Sequence, residues 1–310
     1  MITVRTLADI PRDMSSVVTV GTFDGVHLGH REIIRAIVRR ARELGSRSVV
    51  VTFSPHPKEI VASARGPVQL LSTMEEREAT FRTLGVDLLV VLEFTYEFSR
   101  LSSREFYQRF VVGLVGVCEV VVGHDHMFGR DREGSTEKLR EIGKEFGFGV
   151  DMLGPLLVGG EAVSSTRVRA ALREGNVARV ARFLGAPYSL SGTVVRGDGR
   201  GRKIGYPTAN IRLAGGRKLI PSDGVYVVDA VVGDEAFRGM MNIGLRPTLT
   251  DGSARTLEVH LLGVDRDFVG QSLSVLFLER LREERRFGSL EELVGQLARD
   301  REAAERFQIT

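Results

Sequence analysis

Val20-Gly21-Thr22-Phe23-Asp24-Gly25-Val26-His27-Leu28-Gly29-His30 decides how the first half of the chain is read. The β-branched run Val17 to Val20 reads as a buried strand that stops at Gly21. From Gly29 onward, Ile33, Ile34, Ile37, Val38, Ala41 and Leu44 recur at helical spacing. The order is therefore strand, tight glycine turn and helix, with two histidines at the helix mouth. A helix N-terminus presents unpaired N–H groups and the positive end of its dipole, which suit a phosphate. Gly21, Gly25 and Gly29 let backbone approach a ligand without a Cβ in the way. His27 and His30 can donate hydrogen bonds to phosphoryl oxygens as charge builds in a transition state. The plainer alternative makes His30 a helix cap and His27 a loop residue. It fits a lone histidine better than two framed by three glycines. The stretch reads as a nucleotide site.

Outward from this turn, strands and helices alternate. Ser48 to Phe53 is a near-continuous apolar run, as in a parallel strand covered on both faces, and Ser54-Pro55-His56-Pro57-Lys58 follows it. Ser72 with Glu75 reads as a capping box opening a helix that ends near Gly85. Asp87 to Leu92 is the next strand, Ser102 with Glu105 opens another helix, and Glu119 to Val122 is a strand closed by Gly123. Ser135 to Phe146 is a helix stopped by Gly147. This rhythm predicts an open, mostly parallel, doubly wound sheet, whose ligands bind beyond the carboxyl ends of the strands. Ser164-Ser165-Thr166-Arg167-Val168-Arg169 then opens a short helix to Gly175, followed by another to Gly185. Its hydroxyls and guanidinium groups could hold a polyphosphate, although a serine cap with surface arginines explains it equally simply.

At 310 residues the chain exceeds the usual size of one domain, and two are expected. Hydrophobic residues make up 43% and charged residues 27%, ample for two cores. No apolar run approaches the ~20 residues of a membrane span, and Met1 to Arg5 lack the features of a signal peptide. The single cysteine, Cys118, sits in an apolar run and excludes a disulfide framework within one chain. A cytoplasmic protein with no membrane partner is expected. Net charge is only +3, and opposite charges are interspersed, which reads as solvated helix faces rather than a nucleic-acid footprint.

The texture changes after Pro187. Short strand-like runs appear at Ser191 to Arg196, Gly224 to Val232, Glu235 to Asn242, Thr256 to Leu262 and Ser272 to Leu278, with Gly233-Asp234 as a hairpin turn. They predict a small antiparallel barrel or sandwich, closed by a helix that Ser289 and Glu292 cap. Within it, Gly197-Asp198-Gly199-Arg200-Gly201-Arg202-Lys203-Ile204-Gly205-Tyr206-Pro207-Thr208-Ala209-Asn210 forms a flexible electropositive loop without a Walker pattern. Thr208 and Asn210, two apart, share a face if extended and offer neutral oxygens to Mg²⁺. A surface turn leading into a strand is an equal alternative. Glu258 alternates with Leu257 and Val259, so it points away from the core and could act as a general base, or simply be a solvated strand carboxylate.

Seven segments in this order resemble the bacterial bifunctional riboflavin kinase/FAD synthetases over essentially the whole chain. They are Gly21 through His30, Thr52-Phe53-Ser54-Pro55-His56-Pro57, Gly123 through Gly129, Ser164 through Arg169, Gly205 through Asn210, Asn242-Ile243-Gly244-Leu245-Arg246-Pro247-Thr248, and Leu257-Glu258-Val259-His260. The resemblance implies an α/β doubly wound, Rossmann-like nucleotidylyltransferase domain at 1–186, which adenylylates FMN to FAD and releases pyrophosphate. It implies a small antiparallel β-barrel riboflavin kinase domain with a C-terminal helix at 187–310, which phosphorylates riboflavin with ATP and Mg²⁺.

By the same resemblance, His27 and His30 are catalytic in the first domain, where Gly21, Thr22, Phe23, Asp24, Asp125, Ser165, Thr166 and Arg167 also bind ATP. Glu258 is the kinase base, taking the proton of the ribityl 5′-hydroxyl. Gly197, Gly201, Lys203, Gly205, Pro207, Thr208 and Asn210 bind the second ATP, with Thr208 and Asn210 as metal ligands. Pro57, Asp125, Glu258 and Arg282 face flavin. Riboflavin, FMN and FAD are thus substrates and products, and a homo-oligomer is left open.

Three positions depart from the family pattern: His126 follows Asp125 where an aromatic is usual, Phe94-Thr95 replaces a Phe-Asn pair, and Tyr206 replaces Phe. Three rival readings remain: a different adenylyl- or cytidylyltransferase, a kinase with a weakened adenylyltransferase half, and a flavin- or RNA-binding protein with vestigial sites.

Overall fold

The structure, a computed structural model, describes all residues except 62–67, 125, 127, 128, 130–133, 214–216, 247–253, 309 and 310, and only the backbone of 245, 246 and 254. The chain divides into two compact units, Met1–Ser165 and Thr166–Thr310.

In the first unit, β1 (Ile2–Val4), β2 (Val17–Val20), β3 (Ser48–Ser54), β4 (Leu88–Glu93), β5 (Glu119–Gly123) and β6 (Gly149–Leu153) form one sheet in the order β1-β4-β3-β2-β5-β6. All pairs are parallel. The intervening helices are α1 (Leu28–Glu43), α2 (Pro57–Val61), α3 (Met74–Thr83), α4 (Tyr96–Ser99), α5 (Ser103–Phe106), which runs on as a π-helix over Tyr107–Val115, and α6 (Thr136–Phe146). Successive strand residues alternate between two cores. Val49, Val51, Leu88, Val90, Val120 and Val122 pack with Phe106, Phe110 and Leu139 of α5, its π-helical extension and α6. Val50, Leu89, Val91 and Val121 pack with Ile34, Ile37 and Phe81 of α1 and α3. A sheet buried on both faces needs apolar residues at both parities, which is why its strands read as continuous runs. The expected doubly wound sheet is present. From β2 the chain steps to β3 on one side and later to β5 on the other, so the turn after β2 lies at the topological switch point.

One cap is corrected. The box at the start of α3 is Thr73 with Glu76, one residue later than the Ser72 with Glu75 expected. Ser72 is unavailable because its hydroxyl accepts from Gly25 N at 2.7 Å and donates to Asp24 at 3.2 Å.

A short hairpin of β7 (Leu157–Val158) and β8 (Glu161–Ala162) precedes α7 (Ser165–Arg173), within which the second unit begins. That unit continues with α8 (Val177–Leu184), β9 (Tyr188–Val195), α9 (Arg200–Lys203), β10 (Ala209–Leu213), β11 (Gly224–Val232), β12 (Glu235–Arg246), β13 (Ala254–Leu261), β14 (Ser272–Arg282) and α10 (Leu290–Arg306). Its six strands close into an antiparallel barrel in the order β10-β13-β12-β11-β14-β9. The 187 end of the expected boundary falls just before β9, while α8 packs on β14 and β9. Gly233-Asp234 makes the two-residue hairpin expected, with Val232 opposite Glu235 and Gly233 at φ +59. Helix α10 lies outside the barrel, with Ala304 buried beside Val227, Met240 and Leu278. Arg238 secures its end, donating to the carbonyls of Ala304 (3.3 Å) and Phe307 (2.9 Å).

Candidate active sites

The turn after β2 is over-determined by side chains behind it. Phe23 and Val26 take φ of +48 and +35, a region that non-glycine residues seldom enter without support. Asp24 is buried, and its carboxylate accepts from Leu71 N (3.0 Å), Ser72 N (3.0 Å) and Ser72 Oγ. Its own carbonyl accepts from Ser165 Oγ at 3.0 Å. The carbonyl of Thr22 accepts from Nη1 of Arg77 at 2.7 Å, and Arg77 is itself only 3% exposed. Phe23 is buried and meets both Phe81 and His30 edge-on. Asp24 and Phe23 are thus placed to shape the loop.

His27, not His30, caps α1: its Nδ1 accepts from His30 N at 3.2 Å. With Nδ1 as acceptor, the neutral ring carries its proton on Nε2, a donor for an anion at the helix mouth. The rings of His27 and His30 stack at 3.7 Å and 15°. His30 Nδ1 is a buried atom with no hydrogen-bond partner among the described residues. Burial, and secondarily the electrostatic influence of the adjoining His27 ring, hold the His30 imidazole well below its usual range, so it is neutral at pH 7. An incoming polyphosphate opposes that shift, since nearby negative charge favours the imidazolium.

Around this turn, Pro57 takes the first position of α2, where its missing N–H costs no helical bond. Buried His56 caps it through Nδ1, which accepts from Lys58 N. Asp125 lies outside the described residues. His126, the first departure, has Nε2 3.5 Å from the Tyr107 hydroxyl. Thr95, the second, caps α4 by accepting from Phe98 N at 3.1 Å, the service an asparagine renders at the same place. Thr166 and Arg167 follow Ser165 in the first turn of α7.

In the barrel, register brings Asn210 opposite Glu258 on one side, and Asn242 opposite Glu258 on the other. Thr208 Oγ1 stands 3.5 Å from Glu258 Oε2. The expected trio is therefore assembled on one face. Leu257 and Val259 are buried while Glu258 is half-buried, as alternation required. The glycines of the loop have separate jobs. A Cβ on Gly197 would lie 2.2 Å from the Asn210 amide, and one on Gly201 would lie 2.2 Å from the Tyr206 carbonyl. Gly205 has φ +83, and Lys203 is exposed at the end of α9. Gly197, Pro207 and Thr208 border a cavity of about 290 Å³ whose apolar side includes Val194, Leu261 and Phe268, and whose charged side has Arg196, Arg202 and Arg266 with Asp198 and Asp267. An apolar slot beside cations suits a purine with its phosphates.

Two positioning residues escaped the sequence reading. His260 is buried, and its Nδ1 donates to the Pro207 carbonyl at 2.8 Å while Tyr206 meets its ring edge-on. It fixes the strand entrance that carries Thr208, and Tyr206 keeps the aromatic contact despite replacing Phe. Its place two residues after Glu258, on the same face, was the available signal. Arg77 gave none, since an arginine among the glutamates of a strongly charged helix reads as surface. Arg282 is not free: its guanidinium pairs with Asp300 of α10, Nη2 to Oδ2 at 2.8 Å.

Comparison with known proteins bears on both sites. The family model described as FAD synthetase matches residues 9–167, and that described as riboflavin kinase matches 184–308. A bifunctional riboflavin kinase/FMN adenylyltransferase of Escherichia coli strain K12 is 37% identical over 305 residues, covering 98% of this chain and 96% of that protein. One of the same name from Pseudomonas fluorescens is 38% identical, covering 95% and 93%. A crystal structure described as a macrolide-efflux protein from Streptococcus pneumoniae matches at a TM-score of 0.89 and 34% identity, covering 99% of each chain. In this chain, no helix among the described residues is long and apolar enough to cross a membrane. With both domain models matched in order, and relatives of this identity along nearly its full length, the chain belongs to the bifunctional riboflavin kinase/FMN adenylyltransferase family.

Proposed function

We propose that this enzyme phosphorylates riboflavin to FMN in its barrel and adenylylates FMN to FAD at the turn after β2, using one ATP in each step. The functional division is placed at 186/187, before the first barrel strand. The observation that carries the reading is the stacked His27–His30 pair at the mouth of α1, with one buried ring nitrogen left unpartnered among the described residues. In adenylyl transfer an FMN phosphate oxygen attacks the α-phosphorus of ATP, and pyrophosphate departs on the opposite side. The protein contributes positioning and charge stabilisation. The α1 N–H groups, His27 Nε2–H and His30 meet the growing phosphoryl charge, and Gly21 and Thr22 approach as backbone. The family pattern gives the leaving pyrophosphate to Ser165, Thr166 and Arg167, and the flavin to Pro57 and Asp125.

In the kinase, Glu258 takes the proton of the ribityl 5′-hydroxyl as it attacks the γ-phosphorus. The loop from Gly197 to Gly205 and Pro207 covers the nucleotide. Among the described residues no three His, Cys, Asp or Glu side chains gather as a metal site. Two neutral oxygens from Thr208 and Asn210 beside a carboxylate nevertheless fit Mg²⁺, which takes few protein ligands and fills its shell from phosphates and water. When bound, the ion neutralises charge on the transferred phosphoryl group. The vestigial and kinase-only alternatives are not favoured, because both domain models match in order and the full-length relatives carry both activities in their names. We place the enzyme in the cytoplasm, with small-molecule substrates, no nucleic-acid partner, and homo-oligomerisation open.

The test is an incubation with riboflavin, ATP and Mg²⁺, with flavins resolved over time. FMN followed by FAD is expected; FMN alone would overturn the assignment of the first unit, and neither product would overturn both.

A further inference from the structure

The segment joining β14 to α10 is held by a buried ionic clasp. All three guanidinium nitrogens of Arg282 are engaged. Nε donates to both oxygens of Asp300 (3.2 and 2.9 Å), Nη2 to Asp300 Oδ2, and Nη1 to the Glu283 carbonyl at 3.1 Å. Asp300 is only 4% exposed. Gln296, one turn earlier on α10, donates to Asp300 at 2.7 Å and accepts from Arg285 at 2.9 Å. Arg282 and Arg285 both lie over the ring of Phe287, at 5.6 and 4.9 Å. Residues 282, 285 and 287 are therefore tied into one network anchored on α10.

The far side of the segment meets the barrel beside the kinase base. The Glu284 carboxylate rests on the bare Cα of Gly244, where a Cβ would come within 2.0 Å of its oxygen. Gly244 is two residues along β12 from Asn242, hence on the same strand face, and Asn242 is opposite Glu258. A buried ion pair adds little net stability, since desolvation offsets the attraction. What it fixes well is geometry, because the arginine fork meets the carboxylate in one orientation.

We propose that Asp300 is a positioning residue for riboflavin: through Arg282 and Gln296 it sets segment 282–287 against the barrel face that carries Glu258. The inference rests on the resemblance-based expectation that Arg282, and with it the segment it opens, lies on the flavin side of the kinase site. It assigns Arg282 as the strut of the segment, with the flavin met by what the strut presents.

The test is Asp300→Asn in the full-length enzyme. The expected result is a riboflavin KM raised roughly tenfold with kcat within about threefold, because ordering the segment is then charged to substrate binding. Adenylylation of supplied FMN stays at the wild-type rate. Hydrogen exchange of residues 281–287 without ligand becomes faster, and riboflavin with ADP and Mg²⁺ slows it. Arg282→Lys, which keeps the charge and loses the fork, gives a smaller rise in KM. If riboflavin fails to protect the segment in the wild-type enzyme, the flavin-side reading falls. If the wild-type segment is protected yet Asp300→Asn leaves KM and exchange unchanged, the reading stands and the positioning role falls. Should Asp300→Asn fail to fold, Arg282→Lys decides: a wild-type KM overturns the proposal.

Discussion

In the turn at residues 21–30 the unusual backbone belongs to Phe23 and Val26 and is braced from behind by buried groups. In the loop at 197–210 it belongs to glycines, and Gly199 and Gly205 have no neighbour that a Cβ would touch. The first is a rigid mould: Asp24, Ser72, Arg77 and Ser165 spend their hydrogen bonds on its shape. The second, the proposed nucleotide cover, is anchored at a few points, Gly197 on Asn210, Gly201 under the Tyr206 carbonyl, and Pro207 on His260. A helix mouth stabilises a phosphate only if its N–H groups stay put, whereas a loop that wraps a nucleotide must also release it. The first is held by buried polar bonds, and the second leaves Gly199 and Gly205 unpacked.

The largest break in this comparison comes from the chemistry itself. His30→Ala is expected to lower FAD formation by roughly 10²–10⁴-fold and spare FMN formation. Glu258→Ala does the reverse when FMN is supplied. Loss of both activities in either folded variant would refute two independent sites.

Next comes the mould. Asp24→Ala strands the donors of Leu71 and Ser72 and should destabilise the first unit by about 2–4 kcal/mol, read as a lowered thermal transition with kinase activity retained. The cover should respond differently. Gly201→Ala pushes the loop off the Tyr206 carbonyl and should cost roughly 10–100-fold in kinase kcat/KM without lowering the melting temperature of the first unit.

A subtler effect concerns protons. The folded pKa of His30 lies below its usual 6.5, so as pH falls past that value the unfolded chain takes up a proton that the folded one refuses. The first unit therefore loses stability below about pH 6.5, and His30→Gln flattens that slope. ATP binding should draw a proton onto this ring in mildly acidic buffer, visible as binding heats that vary with the buffer's ionisation enthalpy. The smallest effect belongs to Thr95→Asn, which exchanges one good cap for another and should change stability by less than about 0.5 kcal/mol and leave FAD formation intact.

How much of this was legible in the sequence follows from which forces are local. Strands β2 to β5 announced themselves because burial on two faces demands unbroken apolar runs. Strands β1 and β6 did not: β1 has three residues and β6 is largely exposed, so neither carries a pattern. Spacing put Thr208 and Asn210 on one face and turned Glu258 from the core, but it left a surface turn and a solvated carboxylate as alternatives; the resemblance, not the spacing, gave the three their roles. Ser72 was misread as a cap because its true partner, Asp24, is 48 residues away. Arg77 and Asp300 were invisible for the same reason. The identity of a buried charge is local, but its partner is not.

The closure of the barrel has a consequence for what the chain makes under stress. Each of its six strands has neighbours on both sides, so none can peel away alone and the ladder fails as a whole. The sheet has two rims, one of them a strand of three residues. Partial heating or limited proteolysis is therefore expected to lower FAD formation before FMN formation, and equal loss of both would refute this reading of the rims.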